Sequence, residues 1–115
     1  MAEDKKQAEQ ATEQTTESGL FELTLKKPFE YDGRKLEKLT FDFEGLTGQD
    51  VKDINRELRR LGMPNDVAAF NDEFKIRYAA KACVEGIGSD AFDLMGAKDY
   101  LRITNNVQLF LIRSE

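Results

Sequence analysis

Few side chains in this sequence of 115 residues belong to the types that carry catalysis or hold metal ions. Histidine is absent, which removes the commonest general base and the commonest ligand of zinc and copper. One cysteine, Cys83, cannot by itself form a thiolate zinc cluster or an intramolecular disulfide. It lies in a segment rich in small apolar residues, which favours a buried structural side chain over a nucleophile. We therefore predict that the protein is not an enzyme and has no cofactor.

Carboxylates remain as ligands for magnesium or calcium. Asp90, Asp93 and Asp99 are close in sequence, but a calcium loop has ligands at alternate positions and a closing glutamate, which this spacing does not match. Ser89 and Asp90 are more simply explained as residues that begin a helix. Gly86-Ile87-Gly88 is followed by Ser89-Asp90, whereas a phosphate-binding loop has lysine and then serine or threonine after its glycines. The sequence therefore predicts no metal or phosphate site.

Negative charge is concentrated near the N-terminus. The chain carries a net charge of −5, of which −3 lies in residues 1–18 and −2 in the rest. Phosphate backbones repel such a domain, so we expect no nucleic-acid partner. Residues 1–18 contain no aromatic or β-branched apolar side chain, and we expect them to form a disordered acidic head. No apolar run has the length of a membrane span, and a lone cysteine suits a reducing cytoplasm, where we expect this protein.

Two alternating segments predict an N-terminal β-hairpin over residues 20–44. Apolar residues alternate with polar ones in both segments, and Asp32-Gly33 between them is a strong two-residue turn. A regular hairpin around this turn pairs Leu25 with Thr40 and places the two apolar sets on opposite faces. One extra residue in the first strand corrects this, and Pro28 cannot donate to a ladder, so we predict a bulge near Lys27-Pro28. The predicted pairs are then Leu25 with Leu39, Leu23 with Phe41, and Phe21 with Phe43.

Helical spacing of apolar residues predicts three to four α-helices after the hairpin. Thr47 is a good N-cap of the first helix, Asp50 occupies the reciprocal position of a capping box, and Gly62 ends the helix. The second helix is apolar over much of its circumference, which is typical of a central helix or of one that contacts a partner. The predicted ranges are about 47–61, 65–85, 89–95 and 97–113. The predicted fold class is α+β: one domain over residues 19–115, with a hairpin followed by a small helical bundle.

The second and last helices together have the apolar surface that binding of another polypeptide requires. A helix in a groove, or a bundle of helices, is the natural mode of such an association. The interpretation that these side chains are ordinary core residues stays open. The predicted partner-binding residues are Phe70, Phe74, Tyr78, Tyr100, Val107, Phe110 and Leu111.

The order of these motifs resembles a known family. Residues 22–51 read ELTLKKPFEYDGRKLEKLTFDFEGLTGQDV, and residues 89–111 read SDAFDLMGAKDYLRITNNVQLFL. Both segments resemble the Mu-like tail assembly chaperones of contractile-tailed bacteriophages. The matching motifs are Lys27-Pro28, Tyr31-Asp32-Gly33, Leu46-Thr47-Gly48, Asp99-Tyr100 and Phe110-Leu111.

The resemblance implies a phage or prophage protein that acts in the cytoplasm of the host bacterium. Such chaperones coat the tape measure protein, a long and aggregation-prone helical chain that sets tail length, and help to recruit tail tube subunits. We also expect self-association, because a domain of this size buries limited surface. Two alternatives stay open: a structural virion protein of the neck or baseplate, and an acidic decoy for a nucleic-acid-binding protein.

Overall fold

Antiparallel strands followed by helices make up the part of the chain that the computed structural model describes, which is residues 13–15, 19–63 and 71–113. This arrangement confirms the predicted α+β class. Short 3-10 segments precede the first and last of the helices. The elements are β1 (Glu13–Thr15), β2 (Phe21–Tyr31), β3 (Arg34–Phe41), a 3-10 turn (Phe43–Gly45), α1 (Gly48–Arg60), α2 (Asp72–Ala82), a 3-10 helix (Ser89–Leu94) and α3 (Ala97–Ile112).

The hairpin of β2 and β3 turns at Asp32-Gly33, as predicted. Their φ angles of 54° and 78° are the left-handed conformation that a type I′ turn requires. Beside the turn Tyr31 pairs with Arg34, and at the far end Phe21 pairs with Phe41, so β2 contains three more residues than β3 between these pairs.

The extra residues lie between Thr24 and Phe29, where the bulge was predicted. Its predicted size of one residue is wrong, and so are the predicted pairs, because Leu23 pairs with Leu39. Side chains alternate between the two faces of a strand, so any odd number of extra residues returns both apolar sets to one face. The alternation of side chains therefore requires an odd number of extra residues but does not determine whether that number is one or three.

A contact with the last helix explains the larger bulge. The amides of Lys26 and Lys27 leave the ladder and donate to Oδ1 and Oδ2 of Asp99, at 3.0 Å each. Arg102 Nη1 donates to Oδ1 of the same carboxylate at 2.8 Å. Asp99 is buried, so these bonds satisfy a charge that would otherwise be costly to remove from water. The bulge therefore anchors the first turn of α3 to β2.

Strand β1 corrects part of the predicted disordered head. Glu13–Thr15 pairs antiparallel with β2, with Glu13 opposite Leu23 and Thr15 opposite Phe21. Backbone hydrogen bonds along a strand edge stabilise an extended segment that has no apolar side chains of its own. The remainder of the predicted head, residues 1–12 and 16–18, lies outside the described residues.

The caps of α1 agree with the prediction. The Thr47 amide donates to Asp50 Oδ2 at 2.8 Å, which is one half of the capping box. At the other end Gly62 has a φ of 74°, the left-handed conformation that terminates helices. The predicted 89–95 segment is helical over Ser89–Leu94 but in the 3-10 form, and α3 follows its predicted range closely.

Helix α2 ends three residues before the predicted end at position 85. It ends at Ala82 because the chain there joins the open edge of β3. The Asp42 amide donates to the Ala82 carbonyl at 2.8 Å, and the Val84 amide donates to the Thr40 carbonyl at 2.7 Å. The predicted start at residue 65 falls outside the described residues. Within them, α2 begins at Asp72 with Asn71 as its N-cap.

Aromatic rings connect the elements in the core. The rings of Phe41 and Phe43 stack at 5.6 Å, and Phe21 stacks on Phe43 at 5.7 Å. Phe43 also meets Tyr78 of α2 and Phe110 of α3, at 6.3 and 5.7 Å. The 3-10 turn that holds Phe43 is therefore the point at which the sheet, α2 and α3 converge.

A buried lysine joins α2 to α3. Lys75 is buried, and its Nζ donates to Gln108 Oε1 at 3.0 Å and lies 3.2 Å from Asp72 Oδ1. Burial of an ammonium group is tolerated only when its donors have partners, as they do here. None of the helices in the described ranges is long and apolar enough to cross a bilayer.

Candidate partner-binding surface

The structure places the predicted partner-binding residues in different environments. Phe74, Tyr78 and Val107 are buried in the core, at 2%, 4% and 0% exposure. The core interpretation therefore applies to these three. Tyr100 is half-buried on another part of the surface, with its ring edge-on to Phe92 at 6.4 Å. Phe70 lies outside the described residues.

Phe110 and Leu111, by contrast, are half-buried, and they line one groove together with the buried Tyr78. Phe43 and Leu46 complete its apolar lining, and its volume is about 870 Å³. Small-molecule and peptide sites have volumes of this order. The surface that this groove exposes to solvent is more polar than apolar, and Glu44 and Arg113 belong to its lining. The five residues come from the 3-10 turn, the residue that follows it, the middle of α2 and the end of α3. Only the folded chain assembles this groove.

The floor of the groove is a rigid aromatic surface. The Tyr78 hydroxyl donates to the backbone carbonyl of Phe43 at 2.7 Å, which fixes the Tyr78 ring against the 3-10 turn. Burial raises the pKa of Tyr78, and the nearby carboxylates of Asp50 and Asp42 raise it further. The hydroxyl therefore stays protonated at neutral pH and keeps its role as a donor. A rigid floor loses little conformational entropy when a partner binds.

Phe110 and Leu111, in the C-terminal turn of α3, form the wall of the groove. Leu109 and Ile112 flank them in the sequence, and all four apolar side chains keep part of their surface in solvent. Phe110 also lines a smaller hollow of about 150 Å³ on its other side, which it shares with Phe21 and Leu109. A run of apolar residues left exposed in this way is unusual in a soluble domain and typical of a contact surface.

Two opposite charges stand at the rim. Glu44 and Arg113 line both the groove and the smaller hollow. In the part of the chain that the structure describes, neither side chain forms an ion pair. Both charges are therefore available to groups of opposite sign on a partner, where rim charges set orientation and association rate more than affinity.

The carboxylates weighed above as metal ligands are dispersed. Asp90 Oδ1 accepts a hydrogen bond from the Tyr31 hydroxyl at 2.8 Å, a contact that raises the pKa of Tyr31, while Asp99 binds the bulge. Across residues 13–15, 19–63 and 71–113 no three metal-ligating side chains converge. The contact between Asp90 and Tyr31 joins the tip of the hairpin to the 3-10 helix Ser89–Leu94. The sequence analysis explained Asp90 only as a residue that begins a helix and did not predict this contact.

Cys83 is buried beside the sheet edge. Burial raises the pKa of its thiol from 9.0 to about 12, so the reactive thiolate is scarce at neutral pH. Its Sγ lies 3.3 Å from Glu85 Oε1. This environment is that of a structural cysteine.

Sequence reasoning missed the surface residues Leu46, Leu109 and Ile112, and the buried Phe43 that lies under the groove. Phe43 was predicted to lie in a strand, but it begins the 3-10 turn Phe43–Gly45, and the glycine two residues later ends the alternation of apolar and polar residues. The sequence does show four consecutive apolar residues, Leu109–Ile112, at the end of the predicted helix. Such a run indicates exposed apolar surface, because consecutive residues cannot all face one side of a helix. Comparison of this chain with protein-family models, curated proteins and solved structures found no match.

Proposed function

We propose that this protein is a bacteriophage tail assembly chaperone that binds the tape measure protein, keeps it in solution and helps to recruit tail tube subunits to it. The order of motifs in residues 22–51 and 89–111 supports the proposal. The groove at the end of α3 supplies the physical means, and it is the observation on which the proposal depends.

The groove suits one face of an amphipathic helix. A partner helix presents apolar side chains at positions i, i+3 and i+4, and a volume of about 870 Å³ has room for side chains of that kind. Phe43 and Tyr78 form the floor, and Phe110 and Leu111 form the wall. The tape measure protein is a long helical chain and presents many such faces in succession.

The interaction must also be reversible, since the chaperone leaves as tube subunits arrive. The groove is open to solvent, and its rim carries one acid and one base. Contacts of this size are weak one at a time, and many copies along one chain become effective through multivalency. The proposal therefore requires weak sites repeated along the chain.

Co-expression with the tape measure protein tests the proposal. We expect the wild-type chain to keep that protein in the soluble fraction and Leu111→Ser to weaken the interaction about tenfold, because a contact of leucine size is lost. Leu61→Ser is the matched control: Leu61 is 54% exposed and lies at the opposite end of α1 from Leu46. Far-UV circular dichroism and thermal melting of both variants establish that each remains folded.

Phe74 is unsuitable for this test, since it is buried and its replacement by a charge would unfold the domain. The proposal is wrong if the tape measure protein stays insoluble at every level of the wild-type chain. The assignment of the groove is wrong if Leu111→Ser and Leu61→Ser behave alike.

A further inference from the structure

The exposed side of α1 carries a row of cations. With about 3.6 residues per turn, positions 52, 56, 59 and 60 lie within a sector of about 100° and extend over about 12 Å of the helix axis. The buried residues of α1, Ile54 and Leu58, lie on the opposite side of the helix. We name the four exposed side chains in this sector the basic face of α1: Lys52, Arg56, Arg59 and Arg60.

Acidic residues of α1 interrupt this row in the sequence, but the fold turns two of them towards α2. Glu57 stands within the run of arginines, and its Oε1 lies 3.5 Å from Nε of Arg77 on α2. Asp50 Oδ1 lies 3.8 Å from Nζ of Lys81, which also belongs to α2. Cations of α2 therefore neutralise these two carboxylates. The basic face keeps a continuous positive charge that the sequence alone does not reveal.

Most cations of the basic face have no charged partner. Arg56 Nη1 lies 3.2 Å from Asp53 Oδ1, whereas Lys52, Arg59 and Arg60 form no ion pair within residues 13–15, 19–63 and 71–113. The helix dipole favours cations in the last turn of α1 but not Lys52, which lies in the N-terminal half. Like charges three and four residues apart on a helix also repel one another. An anionic partner would compensate this repulsion.

Carboxylates on a short polypeptide segment are the anions that suit this face. An arginine guanidinium binds both oxygens of one carboxylate, and three of the four cations are arginines. A nucleic acid is a poorer occupant, because its phosphate backbone continues beyond a face of about 12 Å and meets a chain of net charge −5. The acidic head of a second copy is also less suited, because Lys5-Lys6 follow Glu3-Asp4 and Glu13 belongs to β1.

We propose that the basic face of α1 docks an acidic segment of another protein, with about four Asp or Glu side chains on two turns of a helix. The arginines bind the carboxylates, and the charge of the face makes the association fast and sensitive to salt. The lining of the groove includes none of these four cations. The inference therefore goes beyond the proposed function and does not depend on it.

Two fluorescently labelled helical peptides test the proposal against the full chain. They are identical except at positions i, i+4, i+7 and i+8 of one face, which are glutamate in one peptide and glutamine in the other. Fluorescence anisotropy should show about tenfold tighter binding of the glutamate peptide at low salt, and the difference should shrink at high salt. The triple variant Lys52→Gln/Arg59→Gln/Arg60→Gln should bind the glutamate peptide about tenfold more weakly than the wild type.

The matched control is Lys27→Gln/Lys35→Gln/Lys98→Gln. It removes three exposed cations from other elements and changes the net charge by the same amount, so it should bind the glutamate peptide nearly as the wild type does. The substituted side chains are exposed in both triple variants. The folded state should therefore persist, which thermal melting checks.

Equal binding of the two peptides at low salt would overturn the proposal, and so would equal losses in the two triple variants. Tighter binding of an oligonucleotide with four phosphates than of the glutamate peptide would overturn it by assigning the face to nucleic acid. A dimer that dissociates in the triple variant of the basic face would overturn it as well, because a second copy would then be the occupant. Leu111→Ser should bind the glutamate peptide as the wild type does, which separates this result from that of the co-expression experiment.

Discussion

Asp99 shows how much one side chain contributes where the sheet and the last helix meet. Its two carboxylate oxygens accept from the amides of Lys26 and Lys27 and from Arg102, and the side chain is buried. Removing one acceptor from such an arrangement takes away a hydrogen bond that a partly buried backbone amide makes. The cost of an unsatisfied buried donor is about 1 to 3 kcal/mol.

We therefore expect Asp99→Asn to lower the free energy of unfolding by about 2 to 4 kcal/mol. The asparagine keeps one carbonyl acceptor, but its amide group would face a backbone N–H. Urea denaturation measures the change, and Asp93→Asn is the control because Asp93 is exposed. Equal effects of the two substitutions would show that the contact between the bulge and α3 contributes little to stability.

Cys83 provides a prediction about alkaline pH. The thiol pKa is 9.0 in the unfolded chain and about 12 in the folded one. A raised pKa means that the folded state holds the proton more tightly, so this contribution to stability is complete below pH 9 and is lost as pH rises towards 12. We expect the free energy of unfolding to fall in this window by up to about 1.4 kcal/mol per pH unit from this group.

Urea denaturation at several pH values from 9 to 12 checks the direction. Cys83→Ala should show a shallower decline than the wild type, while the raised pKa values of Tyr31, Tyr78 and Tyr100 contribute to both proteins. Parallel curves for the two proteins would show that the Cys83 thiol is not protected by burial.

At the scale of elements, the sheet edge explains where α2 ends. Glu85 lies just beyond the helix, and its Oε1 accepts from the Thr40 amide at 2.8 Å. The same residue offers its backbone carbonyl to Arg34 Nη1 at 3.0 Å. The exit from α2 and the outer edge of β3 therefore form one unit.

We expect Glu85→Ala to destabilise the domain by about 1 to 2 kcal/mol, because the Thr40 amide loses its acceptor. Glu85→Gln keeps a carbonyl oxygen in place and should remain close to the wild type. Hydrogen exchange of the Thr40 amide, followed by NMR, should accelerate in the alanine variant alone. Unchanged exchange in both variants would mean that solvent or another group replaces the carboxylate.

The elements also show what local sequence can and cannot determine. The Asp32-Gly33 turn, the cap at Thr47 and the odd parity of the bulge follow from steric and hydrogen-bonding rules within a few residues. The bulge size depends on Asp99, which lies 73 residues beyond Lys26, and the end of α2 depends on the edge of β3. Strand β1 has no apolar pattern to read, because backbone hydrogen bonds hold it.

The candidate surface was predictable only in part for a related reason. Helical spacing identified Tyr78, Phe110 and Leu111 as members of apolar faces, and they do line the groove. The same spacing grouped the buried Phe74 and Val107 with them, and Tyr78 itself is only 4% exposed. Periodicity gives the direction of a side chain around its helix, whereas the depth of burial depends on which other elements pack there.

At the scale of the whole molecule, apolar surface and charge are separated. In the part of the chain that the structure describes, Leu109 and Ile112 are exposed at the end of α3, and Leu61, Val84, Leu94 and Leu101 are exposed elsewhere. Most of the net negative charge belongs to residues 1–18 of the sequence. Charge of one sign keeps an assembly of many copies dissolved.

Purified phage particles distinguish an assembly factor from a structural component. Under the proposed function we expect mass spectrometry to find no peptides of this protein in mature particles, because the chaperone departs as the tube polymerises. Peptides of the tail tube protein in the same digest are the internal control. Stoichiometric recovery of this chain would instead favour the neck or baseplate alternative.

The alternation of side chains requires that the number of extra residues between Thr24 and Phe29 change only in steps of two. Excision of a single residue there would turn Phe21 and Leu23 outward and their polar neighbours inward. Excision of two residues would preserve inside and outside but withdraw the backbone from Asp99. Only the present length satisfies both the sheet and the last helix.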